Sequence, residues 1–193
     1  MQKLLYIDAC IRGNASRTRK MAAPIIQKLS ERYEVETIDI TASSLPPIDS
    51  ELYMKRSKAE YPPMAIEYAR KFAAADRIVV ATPFWDMSFP SVVKVFCENI
   101  SINGITFKDN PNHSTVGNCN AAKLMLITTR GMDIEDESFL DQATPYLKAL
   151  GWLWGIPEVV VVSAYGMDVH NESICAQRLT DAVEKGLSLC EDF

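Results

Sequence analysis

Histidine is nearly missing from this chain: two in 193 residues, His113 and His170, neither with a partner at metal-ligand or catalytic-triad spacing. A zinc site and a serine hydrolase are therefore disfavoured, and His113, in a polar connection, reads as simply exposed. Positive charge is also scarce, with 20 Lys and Arg against 25 Asp and Glu, so there is no basic stripe of the kind nucleic acid requires. No run approaches the ~18 apolar residues of a membrane span. The short apolar stretch at the start ends at Asp8 and reads as a first strand, not a signal peptide. None of the eight glycines forms a G-x-G pair, and G-x-x-x-x-G-K-[ST] does not occur, which removes the dinucleotide fingerprint and the nucleotide-triphosphate loop. The five cysteines (Cys10, Cys97, Cys119, Cys175 and Cys190) are scattered and lack a C-x-x-C. They read as reduced thiols of a cytoplasmic protein.

What is present is an ordinary globular composition, 48% hydrophobic and 23% charged, in a length that suits a single domain spanning 1–193. Apolar runs and helical periodicities alternate. Strands are expected at Lys3 to Ala9, Val35 to Ile40, Arg77 to Ala81, Lys123 to Thr129 and Glu158 to Ser163. A helix follows the first strand, with Ser16 as its N-cap and Met21, Ile25, Ile26 and Leu29 as its core face; Pro24 inside it predicts a kink or break. Ala65 to Asp76 is helical by composition. A helix near Ser88 tolerates Pro90 in its first turn and carries Val92, Val93, Phe96, Cys97 and Ile100. Phe139, Ala143, Tyr146, Leu147 and Leu150 mark another, which includes Pro145, and Leu179, Val183, Leu187 and Cys190 mark the last. Thr41 to Pro63 has four prolines and no period; it reads as surface-packed chain with a short helix. Phe107 to Ala121 reads as polar connection. Five strand–helix alternations imply a parallel sheet covered by helices on both faces.

Ligands of such sheets sit beyond the carboxyl ends of the strands. There the chain places a first turn, Cys10 to Thr18, then the Phe84–Met87 loop and the Thr129–Met132 loop. The first turn offers helix-start amides, Ser16, Thr18 and Arg12 or Arg17 to an anion the size of one phosphate; the alternative is a solvated turn with an ordinary cap. Phe84 and Trp85, stiffened by Pro83, are a platform for a planar ring or an extension of the core. Gly131 would let backbone approach a flat ligand, and Arg130 is either part of that edge or simply a surface charge. Cys10, Gly13, Asn14, Arg17 and Thr18 also look like the phosphate loop of low-molecular-weight tyrosine phosphatases. That loop has C-x5-R-[ST]; here the spacing is C-x6-R-T, and the extra residue spoils the thiolate–guanidinium geometry.

Taken together, Ser16-Arg17-Thr18, Thr82-Pro83-Phe84-Trp85-Asp86-Met87-Ser88-Phe89-Pro90, Gly104-Ile105-Thr106-Phe107, Thr128-Thr129-Arg130-Gly131 and Thr144-Pro145-Tyr146-Leu147 with Leu150-Gly151 resemble the flavodoxin-like NAD(P)H:quinone oxidoreductases. The FMN-dependent NADH-azoreductases are the nearest group. The resemblance implies a three-layer α/β sandwich on a five-stranded parallel sheet of order 2-1-3-4-5. It implies tightly bound FMN, its phosphate at Cys10, Ser16, Arg17 and Thr18, and its ring against Phe84, Trp85, Asp86 and Met87 with Thr129, Arg130, Gly131 and Met132 along the edge. It implies a homodimer running ping-pong transfer from NADH or NADPH to a small acceptor, a quinone or an azo compound, with no essential protein nucleophile.

The chain departs from that pattern at several positions. Cys10 stands where serine is common, and thiols donate hydrogen bonds weakly. An ionised Asp86 facing the ring's pyrimidine side would accept from N3–H and lower the redox potential. Met132 replaces a second glycine and narrows the pocket, while Asp133, Glu135, Asp136 and Glu137 disfavour anionic azo dyes. A flavodoxin-type electron carrier is the rival reading, and a Cys10 phosphatase the third.

Overall fold

Strands whose residues are apolar on both faces cannot lie at a sheet edge facing water, and three such strands form the centre of this molecule. The computed structural model describes residues 1–112 and 114–193, so the reading of His113 falls outside the described residues. Strands β1 (Gln2–Asp8), β2 (Tyr33–Asp39), β3 (Arg77–Ala81), β6 (Lys123–Thr129) and β7 (Glu158–Ala164) make one parallel sheet in the order β2-β1-β3-β6-β7. In strands of this sheet alone that is the expected order 2-1-3-4-5. β1, β3 and β6 are buried almost throughout, whereas β2, at one edge, is exposed at four of its seven positions.

Alternate residues point to opposite faces, and the two faces carry separate cores. Leu5, Ile7, Ile78, Val80, Leu124 and Leu126 pack on one side with Phe72, Phe96, Leu147 and Trp154. These come from helices α3 (Pro63–Ala74), α4 (Ser91–Ile100) and α5 (Ala143–Trp154). Leu4, Tyr6, Val79, Met125, Ile127 and Val162 pack on the other with Met21, Ile25, Leu29 and Ala182, from α1 (Arg17–Leu29) and α6 (Glu172–Leu189).

Several local expectations are corrected. α1 runs unbroken through Pro24: Met21, Ala22, Ile25 and Leu29 are buried against the sheet, and that packing offsets one missing hydrogen bond. α4 begins at Ser91, with Pro90 in the capping position, because Trp85 to Ser88 is used in a tight turn. Phe139 lies outside α5 and is 85% exposed. Pro145 is the third residue of α5, where an amide has no intrahelical acceptor to lose. The stretch 41–63 does contain a short helix, α2 (Ser50–Arg56), capped by Asp49 accepting from the Leu52 amide at 2.8 Å. The polar connection after α4 holds an antiparallel hairpin of β4 (Phe107–Asp109) and β5 (Thr115–Gly117). Its half-exposed residues give no clear alternation.

Gly117 closes that hairpin onto the end of α5. A Cβ there would stand 1.9 Å from the Gly155 nitrogen and 2.2 Å from the Trp154 carbonyl carbon. Both neighbours are backbone and cannot move aside cheaply. Gly117→Ala is therefore expected to destabilise the protein by about 1–3 kcal/mol, read as a lower urea midpoint at unchanged m-value.

Candidate functional site

The parallel register brings Asp8 opposite Ala81, Ala81 opposite Ile127, and Thr129 opposite Ala164, so the loops after β1, β3, β6 and β7 leave the sheet along one line. Between them lies a cleft of about 120 Å³ lined by Arg12, Ser16, Arg17, Thr18, Pro83, Phe84, Trp85, Thr129, Arg130, Gly131, Met167 and Asp168. Larger open hollows occur elsewhere, as between Pro46 and Pro62, but away from these strand ends.

The first turn is wound by hydrogen bonds from Gly13 N to Cys10 O, Ala15 N to Arg12 O and Ser16 N to Gly13 O. Ser16 caps α1, its hydroxyl accepting from the Arg19 amide at 3.3 Å. The amides of Arg17 and Thr18, the first two of the helix, have no acceptor within it, so they and the dipole favour an anion. The Thr18 and Thr129 hydroxyls are 2.6 Å apart and buried, fastening the helix start to the end of β6. Arg19 turns the other way: its Nε lies 2.7 Å from Asp8 Oδ2 and its Nη2 3.4 Å from Asp39. Burial works against the Arg19 charge, but the Asp8 contact more than compensates and keeps its pKa raised.

Cys10 does not line the cleft. Its thiol is 1% exposed and lies 3.6 Å from the Ala81 carbonyl, and burial pushes its pKa up to about 12. The turn folds Cys10 inward, so the structure places this side chain behind the cleft and not among the groups that line it. The same burial removes the thiolate a phosphatase would need.

In the second loop Trp85 and Ser88 exchange amide–carbonyl hydrogen bonds of 3.0 and 2.9 Å around Asp86 and Met87. Both central residues have positive φ, 49° and 62°, the signature of a type I′ turn. Neither is glycine, so the turn is locally strained. It is held from outside: Phe84 N donates to Thr129 O at 3.0 Å and Gln142 N to Met87 O at 2.9 Å. Phe84 and Trp85 form a wall of the cleft, and Trp85 is 57% exposed. Asp86 and Met87 sit at the exposed tip and do not line it.

Arg130 is not a surface charge; it is 0% exposed. Its Nη2 lies 2.8 Å from Asp141 and 2.9 Å from Asp136, and its Nη1 donates to Ile134 O at 2.8 Å. Phe84 covers the guanidinium at 5.4 Å. The buried Nε of Arg130 has no partner among the described residues. Met132 is half exposed and outside the cleft wall. At Gly131 a Cβ would lie 2.2 Å from Asp168 Oδ2, so this glycine makes room for a side chain of the protein itself.

Asp168 and Met167 belong to a fourth loop, after β7, that the sequence reading missed. The signal was available: the fifth strand ends at the same sheet edge, and Tyr165-Gly166-Met167-Asp168 follows it directly. The Arg17 guanidinium donates to the Met167 carbonyl and to the Asp168 carboxylate.

These residues fit a flavin mononucleotide at its phosphate end. Two free amides, the Ser16 and Thr18 hydroxyls, and Arg12, which has no ion pair among the described residues, suit one phosphate. The orphaned Arg130 Nε and the Phe84–Trp85 wall suit a flat polar ring. A cleft of 120 Å³ is below the ~300 Å³ of ordinary ligand pockets, so the ring would lie against the open side at Trp85.

Residues 2–186 match the family described as flavodoxin-like fold. The chain is 26% identical to an FMN-dependent NADH:quinone oxidoreductase of Clostridium perfringens over 201 residues, covering 100% of both. It is 28% identical to the FMN-dependent NADH:quinone oxidoreductase 2 of Clostridium acetobutylicum over 202 residues, again covering 100% of both. Among solved structures, an FMN-dependent NADH-azoreductase from Bacillus anthracis in complex with FMN superposes with a TM-score of 0.83 at 21% identity, covering 100% of this chain and 99% of that one.

Two measurements follow from this geometry. Arg130→Met leaves Asp141 buried without its cation and is expected to cost about 3–5 kcal/mol in urea denaturation, part of which returns when Asp141→Asn is added. In the folded protein at pH 8, Cys10 is expected to resist iodoacetamide, read by peptide mass spectrometry; alkylation at the rate of a free thiol would restore the phosphatase reading.

Proposed function

The chain belongs to the flavodoxin-like fold family matched over residues 2–186, and on that premise we propose that it is an FMN-dependent oxidoreductase passing two electrons from NADH or NADPH to quinones or related small acceptors. Azo compounds are included among those acceptors. The observation that carries this reading is the convergence, on one sheet edge, of a monophosphate cradle at the start of α1 with an aromatic wall at Phe84 and Trp85. The names of the relatives support it. When bound, FMN would supply the two-electron chemistry, linking nicotinamide oxidation to acceptor reduction in two separate half-reactions.

The protein's part is to bind and orient. The amides of Arg17 and Thr18, with Ser16, Arg12 and Arg17, hold the phosphate. Thr129, Arg130 and Gly131 border the ring, and the I′ turn fixes the height of the Phe84–Trp85 wall. The whole chain works as one domain, and its open side is completed by a second copy. Trp85, Met132 and Phe139 are each exposed apolar side chains of the kind such a partner would cover. No helix among the described residues is long and apolar enough to cross a membrane. Five free cysteines favour a reducing cytoplasm.

The test is a visible spectrum of the purified protein followed by anaerobic addition of NADH and of NADPH. Bound FMN bleached within seconds by either nucleotide is the expected outcome. Flavin that stays oxidised points to an electron carrier, and absence of flavin affinity overturns the reading. Analytical ultracentrifugation of the same sample is expected to give twice the monomer mass.

A further inference from the structure

One group in the cleft has the wrong sign for an anion site. Of the four arginines at this edge, Arg19 is answered by Asp8 and Asp39 and Arg130 by Asp136 and Asp141. The carboxylates of those pairs lie outside the cleft lining. The Arg17–Asp168 pair is different, because both partners line the cleft itself. Asp168 thus meets the guanidinium where an anionic ligand of this cleft would have to meet it.

The two partners are not equally mobile. Asp168 is mounted on a loop pinned to its neighbour: Gly166 N donates to Met132 O at 2.8 Å, Met167 N to Arg130 O at 3.0 Å and Asp168 N to Gly131 O at 2.9 Å. From behind, Arg178 donates to the Tyr165 carbonyl at 2.8 Å, and His170 Nε2 lies 2.6 Å from Asp133. The carboxylate itself rests over Gly131, whose missing Cβ leaves the space. Arg17, in contrast, reaches this loop through a long flexible side chain from the first position of α1. When an anion arrives, Arg17 is the partner that swings.

We propose that Asp168 is an internal anion that holds Arg17 in the ligand-free protein and competes with the ligand's phosphate for it. This one carboxylate then sets how strongly the site prefers a phosphorylated flavin over its dephosphorylated form. The inference rests on the reading of the cleft as an FMN site. Its physical content is a charge sum. Arg12 and Arg17 offer two positive charges to a phosphate of about −2, and Asp168 cancels one of them. Ligand binding must break the pair and then tolerate Asp168 close to the phosphate.

The pair is partly solvated, with side-chain exposures of 32% for Arg17 and 64% for Asp168, so the effect is a modest multiple and not orders of magnitude. The test compares apo-protein of wild type and Asp168→Asn, a change of charge with little change of shape. Each is titrated with FMN and riboflavin, followed by flavin fluorescence, and with inorganic phosphate alone, followed calorimetrically. FMN and phosphate are expected to bind about fivefold more tightly to the variant and riboflavin within about twofold of wild type. In an Arg17→Ala background the gain from Asp168→Asn is expected to fall to less than half, which a merely structural role would not produce. FMN and phosphate affinities that stay level or weaken overturn the proposal, as does an equal gain in both backgrounds. If wild type binds neither flavin, the FMN reading falls separately. The phosphate titration then still decides: tighter phosphate binding by the variant supports the competition, and unchanged binding overturns it.

Discussion

A guanidinium with no exposure to water must be matched by carboxylates, and meeting that requirement at Arg130 organises most of the functional edge. Asp141 answers it from two residues before α5, and the same carboxyl group accepts from the amides of Ala143 and Thr144 at 3.0 and 3.1 Å and from the Thr144 hydroxyl at 2.6 Å. Asp136 answers it from the preceding loop and also takes the Ser163 hydroxyl of β7 at 2.8 Å. Phe84 closes the guanidinium from above. One buried cation therefore ties the ends of β6 and β7, the cap of α5 and the aromatic wall into a unit. Such a pair adds little net stability, since desolvation consumes much of the Coulombic gain, but losing one partner is costly.

The acidic stretch after Arg130 has a different meaning in this light. Read along the sequence, Asp133, Glu135, Asp136 and Glu137 are an unusually negative loop able to repel anionic substrates. In the fold, Asp136 faces the buried Arg130, and Asp133 is held by Arg178 and His170. The Arg178 contact lowers the Asp133 pKa against the small cost of its desolvation. Part of the apparent negative field is spent internally. The two cations left for an anionic ligand are Arg12, which is free among the described residues, and Arg17, which is engaged but exchangeable.

The strand boundaries were legible because β1, β3 and β6 are apolar runs bounded by polar residues, and β2 mixes apolar Val35 and Ile38 with polar neighbours. Ser16 as a cap was legible from residue type and position alone. The hairpin of β4 and β5 was not: its residues are half exposed, and its close contact with Gly155 is between segments far apart in sequence. Helix α1 kept Pro24 because four buried side chains outweigh one hydrogen bond, a balance that local propensity does not contain. The I′ turn at Asp86 and Met87 was hidden because neither residue is the glycine such turns ordinarily select.

By itself the sequence determined the sheet, its order once the family resemblance was recognised, and the three loops that carry the phosphate cradle and the aromatic wall. These depend on periodicity and on short motifs, both local properties of the chain. Only the tertiary structure decided what each charged or reactive side chain does. It turned Cys10 inward, buried Arg130 between carboxylates and brought Asp168, from the far end of the sheet, onto Arg17. The reason is that burial and charge pairing depend on which segments meet, and residues 17 and 168 meet only because parallel strands deliver all their carboxyl ends to one edge.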